Sequence, residues 1–187
     1  MKKIIVSMLV VCLGLVPATI FAANQNVALS AGLGLVYPLG DMGDAIDYAV
    51  SLPINAQYAV KPNISVELDG YYYIYTAEAA KGFDYSSYQF GLGGRYWLEK
   101  AFNGVYLGAG IARTNVETES EVTIPFVGTQ KVKTDEDYTT LVLKAGYTMA
   151  LDKIILDLGI RYDAIDMDEW ANQPLTLYAM AVFPLSL

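Results

Sequence analysis

From residue 27 onward the chain changes character at every second position. Residues 27 to 37 place Val27, Leu29, Ala31, Leu33, Leu35 and Tyr37 on one parity and Ala28, Ser30, Gly32, Gly34 and Val36 on the other. Successive side chains of a strand point to opposite faces, so this segment has one bulky apolar face and one small face. The next segment sets Tyr48, Val50, Leu52, Ile54, Ala56, Tyr58 and Val60 against Ser51, Asn55 and Gln57. The third sets Ile64, Val66, Leu68, Tyr72 and Ile74 against Ser65, Glu67 and Asp69. Further alternating segments follow at 86–98, 105–116, 138–150, 154–165 and 174–187. Eight strands of roughly ten residues each have the length of a tilted bilayer crossing. The apolar content is 54%, yet after residue 22 no continuous apolar run is long enough for a spanning helix.

The connections alternate too. Strands two and three are joined by 61–63 (KPN), four and five by 99–104 (EKAFNG), and six and seven by 152–153 (DK), whereas the other connections are long. Short turns at one end and long loops at the other describe an up-and-down meander. The predicted fold is therefore all-β, an eight-stranded antiparallel up-and-down transmembrane β-barrel with short periplasmic turns and long extracellular loops.

A soluble barrel would turn its apolar face inward around a ligand, whereas a membrane barrel inverts that arrangement. Side-chain size decides between them. The non-greasy parity carries Gly32, Gly34, Gly91, Gly93, Gly108, Gly110, Gly146 and Gly159 with Glu67, Asp69, Arg95, Lys144, Asp157 and Arg161. Glycines suit a narrow lumen crowded by other side chains, so the large apolar residues face lipid. Aromatics on the greasy parity fall at two levels, and such belts form where a ring is apolar and its hydroxyl meets water. Tyr58, Tyr96, Tyr147 and Phe183 lie toward the short-turn end; Tyr37, Tyr48, Tyr72, Tyr88 and Tyr162 lie toward the long loops. In the run 69–76 (DGYYYIYT), parity sends Tyr71, Tyr73 and Tyr75 inward and Tyr72 out.

The eight alternating segments, with 32–40 (GLGLVYPLG), 90–98 (FGLGGRYWL) and 106–113 (YLGAGIAR), resemble the small eight-stranded outer-membrane barrels of the OmpA, OmpX and Ail type. The resemblance covers the whole mature chain and implies a Gram-negative outer-membrane location. Such barrels commonly end in an aromatic residue read by the assembly machinery. This chain departs from that by ending in Leu187, with Phe183 and Leu185 on the same parity.

The N-terminus fits such an address. Lys2 and Lys3, an apolar run, Pro17 and then Ala22 and Ala23 have the order of a secretory signal peptide. Cleavage is expected after Ala22, leaving residues 23–187 as one barrel domain. The only cysteine, Cys12, is removed with it, so no thiol remains. The formal net charge of -8 becomes more negative still, which argues against nucleic acid as a partner.

An eight-stranded barrel is just wide enough for side chains to fill it, so the inward charges need partners there. A KPN turn pairing Val60 with Ile64 places Glu67 opposite Gln57 and Asp69 opposite Asn55. Arg95 falls opposite the same acids if the next loop is centred near Lys81 and Gly82. A DK turn sets Lys144 beside Arg161, a like-charge pair that Asp157 or Asp163 must offset. Paired carboxylates can act as acid and base, but a salt-bridged plug is the favoured reading. The chain has no histidine. The barrel proteases, phospholipases, lipid A deacylases and palmitoyltransferases that it resembles in topology place one in the active site. Without histidine or mature cysteine the usual transition-metal ligand sets are missing, and no cofactor is expected.

Function is left to the long-loop face. Residues 116–140 hold two alternating runs around 125–128 (PFVG) and read as a hairpin continuing strands five and six beyond the membrane, with Pro125 and Gly128 in the turn. Glu121, Thr123, Pro125, Phe126, Gly128 and Lys131 are its candidate partner-binding residues, because an exposed edge can add a strand from a partner. The loops are acidic, with Asp41, Asp44, Asp47, Asp166, Asp168 and Glu169 among others. Cation bridging to lipopolysaccharide is conceivable there, although no calcium-loop spacing is present. The expected protein is a monomeric, non-enzymatic barrel in contact with outer-membrane lipid and lipopolysaccharide. Its role is structural or adhesin-like, toward host surface or matrix molecules through the loops. The alternatives are a narrow porin-like channel for small or apolar solutes and, third, a soluble periplasmic ligand-binding barrel.

Overall fold

A computed structural model describes residues 26–40, 48–76, 83–124, 128–151, 154–165 and 173–185. The expected signal segment with Cys12, the turn residues Pro125 and Phe126, Lys81 and Gly82, the loop acids Asp41, Asp44, Asp47, Asp166, Asp168 and Glu169, and Leu187 lie outside those residues.

Eight strands form in chain order: β1 (Val27–Tyr37), β2 (Tyr48–Lys61), β3 (Ile64–Thr76), β4 (Phe83–Trp97), β5 (Gly104–Ile124), β6 (Gly128–Leu151), β7 (Ile154–Ile165) and β8 (Leu175–Leu185). Each pairs antiparallel with the next, and β8 returns to β1 to close a barrel. Closure leaves no lipid-facing edge, the condition for strands to cross a bilayer. The pairing steps from Val27 to Tyr58, Val66, Gly94, Ala109, Leu143, Tyr162 and Leu175, and comes back to β1 at Tyr37. One circuit therefore climbs the full length of β1, and this stagger is what tilts the strands about the barrel axis.

The apolar parity forms the outer wall. Ile54, Phe90, Leu92, Leu107 and Ile111 are each 57–64% exposed. Inward residues are buried whatever their polarity, from Trp97 to Arg95 and Arg161.

Three details of register differ from expectation. Lys61, and not Val60, pairs with Ile64, because a β-bulge between Ala59 and Lys61 absorbs one residue at the turn. The pairs Gln57 with Glu67 and Asn55 with Asp69 stand nonetheless. Arg95 pairs with Ser65, while Gly93 is the residue opposite Glu67. A Cβ on Gly93 would lie 3.3 Å from Glu67 Oε1, so the glycine leaves that carboxylate free to meet Arg95 diagonally. Gly128, expected in the hairpin turn, is instead the first residue of β6 and pairs with Ile124.

The β4–β5 turn shows how the short-turn end is closed. Phe102 and Gly104 both have positive φ, 66° and 81°. For phenylalanine that conformation costs ~1–2 kcal/mol. Burial of its ring against Trp97, at a centroid distance of 5.9 Å, offsets the cost. Ala101 N–H donates to Pro62 O at 2.7 Å, tying this turn to the β2–β3 turn.

Candidate functional site

The lumen is built in layers. At the short-turn end Ala28, Trp97, Phe102, Tyr106 and Val182 form an apolar floor. At the long-loop end Val36, Ala49, Tyr71, Tyr73 and Tyr75 cluster. The three rings stack at 5.8 and 6.1 Å because alternate residues of one strand share a face.

Between them lies an ionic network that draws on five strands. Arg95 Nε meets Glu67 Oε2 and Arg95 Nη1 meets Asp157 Oδ2, each at 2.6 Å. Lys144 Nζ lies 2.6 Å from Glu67 Oε1 and also binds Asp69. Asn55 Nδ2 donates to Asp69 Oδ1 at 2.6 Å and to Glu67 Oε2 at 3.2 Å. The like-charged neighbours Lys144 and Arg161 pair directly across β6 and β7; Asp69 lies between them, bound by Lys144 and 3.9 Å from Arg161 Nη1, and further acids complete each side. Arg161 Nε donates to Asp163 Oδ1 at 2.8 Å and Arg161 also binds Gln89, while Asp157 serves Arg95. Every carboxylate in the set therefore has at least two donors, which is what keeps a buried charge from being prohibitive.

Tyrosines complete the packing. Tyr73 Oη donates to Asp163 Oδ2 at 2.9 Å, and Tyr106 Oη donates to Asp157 Oδ1 at 2.7 Å. The Tyr106 and Tyr178 hydroxyls also bond each other. Arg95 lies 4.4 Å from the Tyr106 ring centroid and Arg161 lies 3.9 Å from that of Tyr71. Two glycines make this possible. A methyl at Gly146 would overlap the Tyr106 hydroxyl, and one at Gly159 would sit 2.5 Å from that of Tyr178.

All six of Glu67, Asp69, Arg95, Lys144, Asp157 and Arg161 thus lie in one connected network. Asp163 and Gln89 belong to it as well, and Tyr106 and Tyr178 extend it to β5 and β8. Tyr106 and Tyr178 went unremarked in the sequence, although their inward parity was a readable signal. Trp97 and Phe102 were also missed, and the positive φ of Phe102 had no sequence signature.

On the outer wall Tyr37, Tyr48, Tyr58, Tyr88, Tyr96 and Tyr147 are exposed, and Tyr72, Tyr162 and Phe183 are half-buried. Tyr72 pairs with Tyr88 across β3 and β4. Tyr162 donates from its hydroxyl to Gln173 Oε1 at 2.6 Å.

Above the barrel, β5 and β6 continue as a two-stranded ladder, in which Glu121 pairs with Lys131 and Thr123 with Thr129. β4 follows β5 as far as Ser120, but β7 leaves β6 after Thr140. Beyond that point β6 has, among the described residues, no strand on its second edge. Ion pairs lace the ladder: Lys131 with Glu119, Lys133 with Glu117 at 3.0 Å, and Arg113 with Asp137 at 2.9 Å. The hydrogen bond from Arg113, helped by one from Asn115, holds the Asp137 carboxyl below the usual range, and Glu117 raises Lys133.

A closed eight-stranded antiparallel barrel, apolar outside and ionic inside, defines the class of bacterial outer-membrane barrels. The chain belongs to the outer membrane protein beta-barrel domain family, whose model matches residues 8–183. Its fold is similar to that of Neisserial surface protein A, with a TM-score of 0.62 and 16% identity over 88% of this chain and 100% of that one. It is also similar to Ail, the attachment invasion locus protein of Yersinia pestis, solved in complex with the heparin analogue sucrose octasulfate. There the TM-score is 0.58 and the identity 14%, over 86% of this chain and 100% of that one. No curated protein matches the chain in sequence.

Proposed function

We propose that this outer-membrane barrel is a non-enzymatic, monomeric surface protein whose lumen is plugged and whose recognition element is the β5–β6 hairpin. The observation that carries the reading is the ladder of Arg113 to Ile124 with Gly128 to Thr139, which runs past the last β6–β7 pair with one edge of β6 unpaired among the described residues. An unpaired edge offers backbone donors and acceptors to a partner strand, and alternate side chains set its specificity. Lys131 and Lys133 stand along β6 with Asp135 and Asp137 below them, so a partner strand that sets acidic residues beside the lysines and basic ones beside the aspartates complements it. Ail was solved with a sulfated polyanion. The acidic loops of this chain suit such a ligand poorly, and a host surface or matrix protein is the better match.

In this reading residues 1–22 are removed on export, the two tyrosine levels sit at the membrane interfaces, and the long loops face outward toward lipopolysaccharide. The ionic network closes the lumen. With every charge neutralised by a partner, it serves as filling and leaves no carboxylate free for acid–base work.

The test is deletion of residues 119–134 in the full barrel. Binding to host cells or immobilised matrix protein should be lost while the barrel keeps its heat-modifiable migration on gels. Unchanged binding defeats the hairpin as the recognition element.

A further inference from the structure

The exposed part of β6 carries a charge pattern that is its own complement when reversed: residues 131–137 read KVKTDED, with Thr134 at the centre. Lys131, Lys133, Asp135 and Asp137 share one face of the strand, and their side chains are 45–62% exposed. On the β5 side this row is unevenly matched. Lys131 and Lys133 meet Glu119 and Glu117, and Asp137 meets Arg113 and Asn115. Asp135, however, pairs directly with Glu117, and Lys133 is shared between these two like charges at 3.0 Å from Glu117 and 3.7 Å from Asp135. On its other side this stretch of β6 has, among the described residues, no strand.

We propose that this edge takes a second copy of the chain, paired antiparallel, β6 to β6, about a two-fold axis at Thr134. The pairing rests on the reading of the β6 edge as a recognition element and gives that edge an occupant besides a host protein. With the axis there, Thr134 faces its own copy, Lys133 faces Asp135 and Lys131 faces Asp137, and each charged pair occurs twice, as two-fold symmetry requires. Opposite charges directly across a ladder stabilise it and like charges destabilise it. An axis at Lys133 or at Asp135 would set that residue against itself, so charge selects the register. The second copy's Lys133 also brings another cation beside the Glu117–Asp135 pair. The ion pairs already present are exposed and do not prevent this, because each ammonium has three donors and can bridge an acid on either side.

The axis is normal to the sheet, so the second β6 runs the opposite way and its barrel points back at the first. Gly128 of one copy falls opposite Thr140 of the other, the last β6 residue paired with β7. The two Thr140 residues then stand about 40 Å apart along the ladder, at ~3.4 Å per residue. The pairing joins two facing surfaces, and each barrel stays a monomer in its own membrane.

The experiment is oxidative crosslinking of the refolded full chain in a Cys12→Ser background, with either Thr134→Cys or Thr139→Cys as its one thiol. Thr134→Cys should give a disulfide-linked dimer, since directly paired residues have Cα atoms about 4.5–5.5 Å apart, within the reach of a disulfide. Thr139→Cys should not, because Thr139 faces Thr129 of the second copy and lies about 34 Å from its own counterpart. In the Thr134→Cys chain, dimer should be lost on Lys131→Asp with Lys133→Asp, and equally on Asp135→Lys with Asp137→Lys. It should return when those two charge variants are mixed. Heat-modifiable migration on gels checks that each variant is folded. A Thr134→Cys chain that stays monomeric, or crosslinks no better than Thr139→Cys, overturns the inference. If that happens while deletion of residues 119–134 still abolishes binding to host cells, the hairpin stands as the recognition element and self-pairing alone falls.

Discussion

Lys144 illustrates what a single side chain does in this barrel. It reaches Glu67 and Asp69 together, and Arg95 and Asn55 cover the remaining sides of those carboxylates. Lys144→Met keeps the length of the side chain but strands negative charge in a dry interior, and breaking a buried pair from one side costs about 3–5 kcal/mol. Urea unfolding in detergent should show a loss of that size; a change below about 1 kcal/mol would mean the network is hydrated and weakly coupled. The inward facing of Lys144 and its neighbourhood with Arg161 were legible from parity and turn length. Which acid neutralises which base was not. Arg95 meets Asp157 across the lumen, a contact that exists only after all the strands have closed, and local register carries no trace of it.

Strand by strand, the alternation located β1 and β7 to the residue, because polar or short connections bound both. It was less informative for β5 and β6. There the period of two outlasts the membrane, and only the pairing from Gly104–Thr148 to Ile124–Gly128 shows one continuous ladder. Gly128 looked like a turn residue because glycine usually marks one; here it opens a strand. The outer wall makes its own prediction. Leu92, 58% exposed, faces outward between the tyrosine levels. Leu92→Arg should destabilise the barrel in lipid by about 2–4 kcal/mol, the cost of a cation near the bilayer midplane. A neutral or stabilising result in reversible unfolding would mean that this wall faces water.

At the scale of the molecule, one chemical alternation explains two unlike surfaces. Small and charged residues inward let an eight-stranded wall close around its own side chains, and apolar residues outward let that wall sit in lipid. The apolar floor at Trp97 and Phe102 and the tyrosine stack at Tyr71, Tyr73 and Tyr75 bracket the ionic layers, and from this bracketing we infer that the lumen is plugged. Sequence parity reached the facing of this fill. The closing turn conformation and the cross-lumen pairs required three dimensions. Single-channel recording of the refolded protein in a planar bilayer shows whether the lumen is closed. A plugged wild-type barrel should show no discrete conductance. A stable open channel that disappears when Arg95 or Glu67 is replaced would contradict it and make the protein a narrow pore.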